Sequence, residues 1–388
     1  MKLDITIAQT YPLKTISLNS SIHKTTPAIG LDNGYLLLNF DLLTNADESF
    51  KYTIVHCDEN WKPSNLSKME YIEGFHSNTI HNFNFSFNTL QPYINYNLKI
   101  PNDHMKIKLS GNYLLAVYKN DENNPIFTRR FFVYKENISL NISTDRSDDF
   151  KRYKTHQKLK LELNTNETNP SSIKLGVTKN GYWNDIKIIK EPSFIKMGHM
   201  IYNGDNTVFE GGNEFRFFSC TSTKVIGLEV SNIELNDRYE FNLVEDIPWK
   251  NNLYQQMSDI NGSFSIFSRD NEKANTESDY VYVNFTLNSV ELFEKKIFIV
   301  GSFNNWELSQ AMTYDTENMN YKSKLLLKQG VYNYKYTVVN EKTNMKRDNY
   351  IDGSFFETKN EYTFLIYKKD VGHTHTELLG IKVYEQKR

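Results

Sequence analysis

Cysteine is almost missing from this chain: residues 57 and 220 are the only two among 388. So few, so far apart, exclude a disulfide framework and any cysteine-based zinc site, while leaving the redox compartment open. An excess of one charge is missing as well. Lys plus Arg number 45 against 47 Asp plus Glu, a formal net charge of −2, and no long basic block occurs. The electrostatic footprint of a nucleic-acid binder is therefore absent.

Nowhere does an apolar run approach the roughly 18 to 20 residues of a membrane-spanning helix, so direct membrane insertion is not expected. The opening stretch Met1 to Ala8 is interrupted by Asp4 and is too short and polar for a signal-peptide core. Taken as it stands the start carries no export signal; a trimmed or altered start of a precursor fits equally well. The phosphate-binding GxxxxGK[ST] loop, HExxH, GxSxG and GxGxxG are all absent, which weakens an enzyme reading without excluding it; the expectation is a non-enzyme with no cofactor or metal.

What is present is aromatic surface and a period of two. With 25 Phe and 25 Tyr the chain has ample material for cores, which argues against disorder, and its length suits two or three domains. Phe83, Phe85 and Phe87 alternate with polar residues, placing three rings on one buried strand face. The same alternation runs through Ile94 to Ile100, Leu159 to Leu163, Val281 to Leu287 and Tyr332 to Val338. Asn-Gly pairs at 33–34, 180–181, 203–204 and 261–262 supply the positive φ angles of type I′ turns.

Many short strands and little helix predict an all-β protein of three consecutive immunoglobulin-like or early-set β-sandwich domains. Breaks after Tyr134 and between Trp249 and Gly262 set the expected spans at 1–135, 136–258 and 259–388. Three polar constellations have bland and functional readings. His56-Cys57-Asp58 pairs a thiol with an imidazole, but neighbours on a strand point to opposite faces, so a packed trio is expected. His373 and His375 share a side if extended, yet no third metal ligand lies nearby. Glu214 and Arg216 either flank a groove or pair across strands or at the surface.

Gly301-Ser302-Phe303-Asn304-Asn305-Trp306 after an apolar strand, followed by Gly330 to Tyr336, resembles the glycogen-binding module of AMP-activated kinase β-subunits and starch-branching enzymes. By that resemblance Trp306 would stack on a sugar ring, with Lys335 and Asn360 as hydrogen-bonding partners of a glycan. The family's second stacking tryptophan falls around residues 341–348, where this chain has no aromatic residue. Losing that ring removes a contact worth about 0.5 to 1.5 kcal/mol.

A wider resemblance covers Tyr52 to Asp58 with Trp61, Tyr71 to Phe75, Phe87 to Tyr93, Gly111 to Leu115, Thr128 to Phe132, Gly211 to Arg216 and Asp279 to Val283. In this order they resemble the type IX secretion system plug protein family of Bacteroidetes. The resemblance implies a periplasmic, non-enzymatic protein at the inner side of the outer membrane. It would close the periplasmic opening of the large outer-membrane β-barrel translocon when neither shuttle nor substrate engages it; the alternative is a carbohydrate-binding protein using the C-terminal domain. Tyr11 to Ile16 resembles the family's early mature segment, with Met1 to Thr10 then a truncated leader or altered start.

A plug does no bond chemistry, so its contacts are sought among loop aromatics and its interface is expected to be polar and non-obligate. Trp61, Tyr71 and Phe75 lie in a stretch, Asn60 to Asn78, too irregular for a strand, and are the candidate partner contacts; the alternative is that they cap the first core.

Overall fold

The computed structural model describes residues 11–135, 138–165, 169–196, 198–370 and 372–386, and the expected leader at residues 1–10 lies outside them. The described chain is all-β apart from the one-turn helices Lys68–Tyr71 and Ala274–Glu277 and three short 3₁₀ turns. Its sheets build three sandwiches.

In the first, strands Leu13–Ser20, Leu36–Leu42, Ile94–Ile100 and Phe83–Phe85 form one sheet. The facing sheet is Ala28–Gly30, Phe127–Tyr134, Gly111–Tyr118, Lys51–Cys57 and Asn78–Thr79. Alternate residues from both sheets, among them Leu38, Phe40, Tyr96, Tyr113 and Phe131, interdigitate in a fully enclosed core. Phe40 stacks on Tyr96 at 5.1 Å between ring centroids.

The second and third sandwiches do not separate at the expected boundary between residues 258 and 259. Strand Ile173–Lys179 pairs with Glu361–Lys368, which in turn pairs with Glu377–Glu385. The C-terminal hairpin therefore completes the second sandwich, and the third, from Arg216 onward, is inserted within it. Pairing of Arg216–Ser219 with Gly330–Asn340 places the start of the third sandwich well before residue 259. Strand order is decided by which edges need covering, and local turn signals carry no information about that.

Four of the five alternating segments bury one face as expected. Leu159, Leu161 and Leu163 enter the second core, and Val281, Val283, Phe285, Tyr332, Tyr334 and Tyr336 the third. The Phe83 to Phe87 segment departs from expectation. Only Phe83–Phe85 is strand, on the outer edge of its sheet, and Phe85 and Phe87 are exposed, since an edge strand is covered less fully than the strands inside the sheet.

Two of the four Asn-Gly pairs take two positive φ angles, Asn180-Gly181 at 53° and 65° and Asn261-Gly262 at 52° and 78°. At Gly262 glycine is required twice over, since a Cβ there would lie 2.4 Å from the Trp306 ring. No helix of the described residues is long and apolar enough to cross a membrane.

Candidate functional site

The loop expected to carry partner contacts is more ordered than its composition suggests. It contains the helix Lys68–Tyr71, capped by Ser67 and Glu70, and the strand Ile72–Gly74 paired with Met105–Ile107. Two of its three aromatics are turned inward. Trp61 packs on Phe132 under the Arg130 guanidinium, 4.6 Å from its ring, and Tyr71 sits in the first core beside His56 and Tyr113. Trp61, in the apolar cluster shared with the second sandwich, and Tyr71, in the first core, are buried, and Phe75, 65% exposed after Gly74 at φ 99°, is the one of the three that faces solvent.

Trp306, Lys335 and Asn360 are brought together, lining one cavity of about 370 Å³ between the second and third sandwiches. The arrangement is an interior contact. Trp306 is 6% exposed, wedged among Tyr182, Phe215 and the Gly262 turn, with Tyr182 of the second sandwich 5.4 Å from its ring. Lys335 is ion-paired with Asp348 at 2.7 Å, and Asn360 is buried, donating to Gln157 and the Gly211 carbonyl. The two lysines near Asp348 hold its carboxyl far below the usual range. Burial in the same cavity, with Lys335 nearby, pushes the Lys179 ammonium down to about 8. Tyr182, a residue without a motif in the sequence, thus packs against the ring at a tilt of 53°.

The remaining constellations are structural. His56 is buried with its Nε2 on the Ser110 carbonyl at 3.2 Å, while Cys57 points the other way into a separate apolar cluster. Burial drives the imidazole down to about 4 and the thiol up to about 12, the reverse of an activated pair. His373 is exposed, whereas His375 packs against His56 at 5.7 Å; no metal-ligand cluster occurs among the described residues. Glu214 and Arg216 are both buried and do not face each other. Arg216 binds Asp246 and Asp352 beneath Trp249, and Glu214 accepts from Tyr254.

What the molecule does build is a triangle of junctions. Between the first and third sandwiches, Lys328 Nζ lies 2.7 Å from Asp41 Oδ2, and Tyr280 and Asn95 donate to the same carboxylate. Between the first and second, a shared apolar cluster unites Cys57, Trp61, Leu114 and Phe132 with Leu365, Tyr367 and Ile381. Tyr367 also donates to Asn112 at 2.9 Å, and Glu59 receives Lys174 and Thr376. Between the second and third, the Tyr182–Trp306 contact is joined by Lys346 donating to the Tyr182 hydroxyl and by Asn213 to the Asp352 carbonyl. Each sandwich is thereby fixed to both others. None of these pairings has a local sequence signal, since the partners lie far apart in the chain.

Comparison with known proteins agrees with this architecture. The family model described as the type 9 secretion system plug protein 1st domain matches residues 13–135. That for the glycogen recognition site of AMP-activated protein kinase matches residues 294–364. A hypothetical protein from Parabacteroides merdae ATCC 43184, known from its crystal structure, is 30% identical and superposes with a TM-score of 0.91 over 97% of both chains. The C-terminal domain of the Streptococcus pyogenes antigen I/II-family protein AspA aligns over 96% of this chain and 99% of its own at 6% identity, but its TM-score of 0.17 bears no argument. None of the curated proteins matches.

Proposed function

We propose, from the match of residues 13–135 to the type 9 secretion system plug protein 1st domain, that this chain is the non-enzymatic plug of that system's translocon. In this reading it sits in the periplasm at the inner side of the outer membrane and closes the opening of a large outer-membrane β-barrel when no shuttle or substrate engages it. The observation that carries the reading furthest is the triangular locking of the three sandwiches.

Obstruction demands width and stiffness. A lone sandwich of about 100 residues has a radius of gyration near 13 Å, whereas a compact body of this length reaches ~21 Å. Sandwiches strung end to end would bend at their linkers; buried contacts on all three sides resist that. The chain as a whole is near-neutral and rich in asparagine, which suits an interface that forms and releases. Phe75, exposed on the first sandwich, is the contact residue retained from the sequence-based candidates.

The test is affinity capture of the tagged, exported chain from cells lacking the shuttle subunit. Recovery of a very large outer-membrane barrel in near-equal amount supports the proposal; recovery without any such protein sinks it.

A further inference from the structure

A second cavity, of about 680 Å³, lies where all three sandwiches meet, and its walls are unusual in kind. Three runs of consecutive residues on or beside strands line it: 15–19, 128–130 and 263–266. Successive side chains on a strand point to opposite faces, so an unbroken run on one wall means that the strand's edge, with its backbone groups, meets the cavity.

The pairing pattern agrees at each run. Leu13–Ser20 is an outer strand, hydrogen-bonded on one side to Leu36–Leu42. Phe264–Ile266 is likewise outer, bonded to Gly330–Asn340. On Phe127–Tyr134 the short strand Ala28–Gly30 covers only Phe132 to Tyr134, which leaves residues 128–130 with a strand on one side alone. The backbone bonds Asn333 N to Ser263 O and Phe267 N to Gln329 O flank the outer strand of the third sandwich. The antiparallel alternation then turns the amide and carbonyl groups of Phe264 and Ile266 toward the cavity.

The charge of the wall is positive. Lys24, Arg129, Arg130 and Lys328 line it against the single carboxylate of Glu307, and of these Lys328 is already neutralised by Asp41. The Arg129 guanidinium donates to the Thr128 carbonyl at 2.8 Å and makes no ion pair among the described residues, Glu307 acting on it only through space. Asn19, Lys24, Ser265 and Asn275 are exposed, so the cavity communicates with solvent.

From this juxtaposition we infer that the junction cavity is a docking site for an extended acidic polypeptide segment, whose backbone adds to a free strand edge and whose carboxylate pairs with Arg129. Backbone pairing to an edge supplies affinity without demanding a fixed sequence, and the Arg129 guanidinium on a cationic wall selects for negative charge. The inference goes beyond the plug reading and does not depend on it.

The experiment is fluorescence anisotropy of the intact chain with labelled eight-residue peptides of alternating Glu and Thr, of alternating Lys and Thr, and of the Glu–Thr sequence N-methylated at every second amide. Saturable binding of the acidic peptide is expected, weakened at least 10-fold by N-methylation and by Arg129→Gln, with the basic peptide inert. Thermal melting of the variant controls for folding, and the three-peptide comparison on the unaltered protein decides the matter even if that variant misfolds. Equal binding of acidic and basic peptides, indifference to N-methylation, or no binding of the acidic peptide at millimolar concentration overturns the proposal.

Discussion

The ammonium of Lys328 lies 2.7 Å from the Asp41 carboxylate, in a site where both side chains are 1% exposed, although the two residues belong to different sandwiches and stand 287 positions apart. Tyr93 places its ring 4.1 Å from the same ammonium, and Tyr280 donates to the same carboxylate. The first and third sandwiches are joined through a charge pair that is almost wholly withdrawn from solvent.

Removing one partner of that pair strands the other in a medium that cannot solvate it. Lys328→Met is expected to lower the unfolding free energy by ~3 to 5 kcal/mol. Combining it with Asp41→Asn is expected to cost less than the sum of the two single changes. Urea titrations of the four proteins in a double-mutant cycle measure this; strict additivity would mean that the pair is not coupled.

Stability should also fall with acid through His56. Burial holds its imidazole at about 4, below its ordinary value near 6.5, so between those pH values the unfolded chain binds the proton that the folded chain refuses. The folded state is favoured fully above pH 6.5 and loses up to ~3 kcal/mol as pH falls toward 4. His56→Asn should flatten that part of the stability profile, read from denaturant midpoints at a series of pH values.

The aromatic loop separates by burial. Phe75→Ser is expected to change folding stability by no more than ~0.5 kcal/mol while weakening capture of the barrel partner. Trp61→Ala opens a hole beneath Arg130 and should cost ~3 to 5 kcal/mol, so any loss of capture it causes follows from unfolding. Melting curves beside the capture assay distinguish the two.

The same reasoning applies at the glycogen-module-like end. Trp306→Ala is expected to destabilise the chain by ~3 to 5 kcal/mol, and neither it nor the unaltered protein should be retained on an α-glucan resin. Retention of the unaltered protein, abolished in the variant, would restore a sugar-binding role to that ring despite Tyr182.

Much of the architecture was legible because period-two patterning reports directly on a half-buried strand, as at Tyr332, Tyr334 and Tyr336. It failed at Phe85 and Phe87, where the alternation is the same but the strand is the outermost of its sheet and stops at Phe85, a fact of tertiary geometry. The insertion of the third sandwich into the second was not legible, because Ile173–Lys179 and Glu361–Lys368 carry no mark of being neighbours. Trp306, Lys335 and Asn360, grouped by motif, line one cavity, but only the fold reveals Tyr182 against the ring. The Arg129 cavity left no motif, since its walls are backbone edges contributed by distant segments.

The central claim is obstruction, and it is tested most directly by permeability. In cells lacking the shuttle subunit, deletion of this chain should make the outer membrane leak vancomycin, a solute normally too large to enter, and expression of the unaltered chain should reseal it. Unchanged uptake after deletion, with the barrel still present in the membrane, would contradict the account.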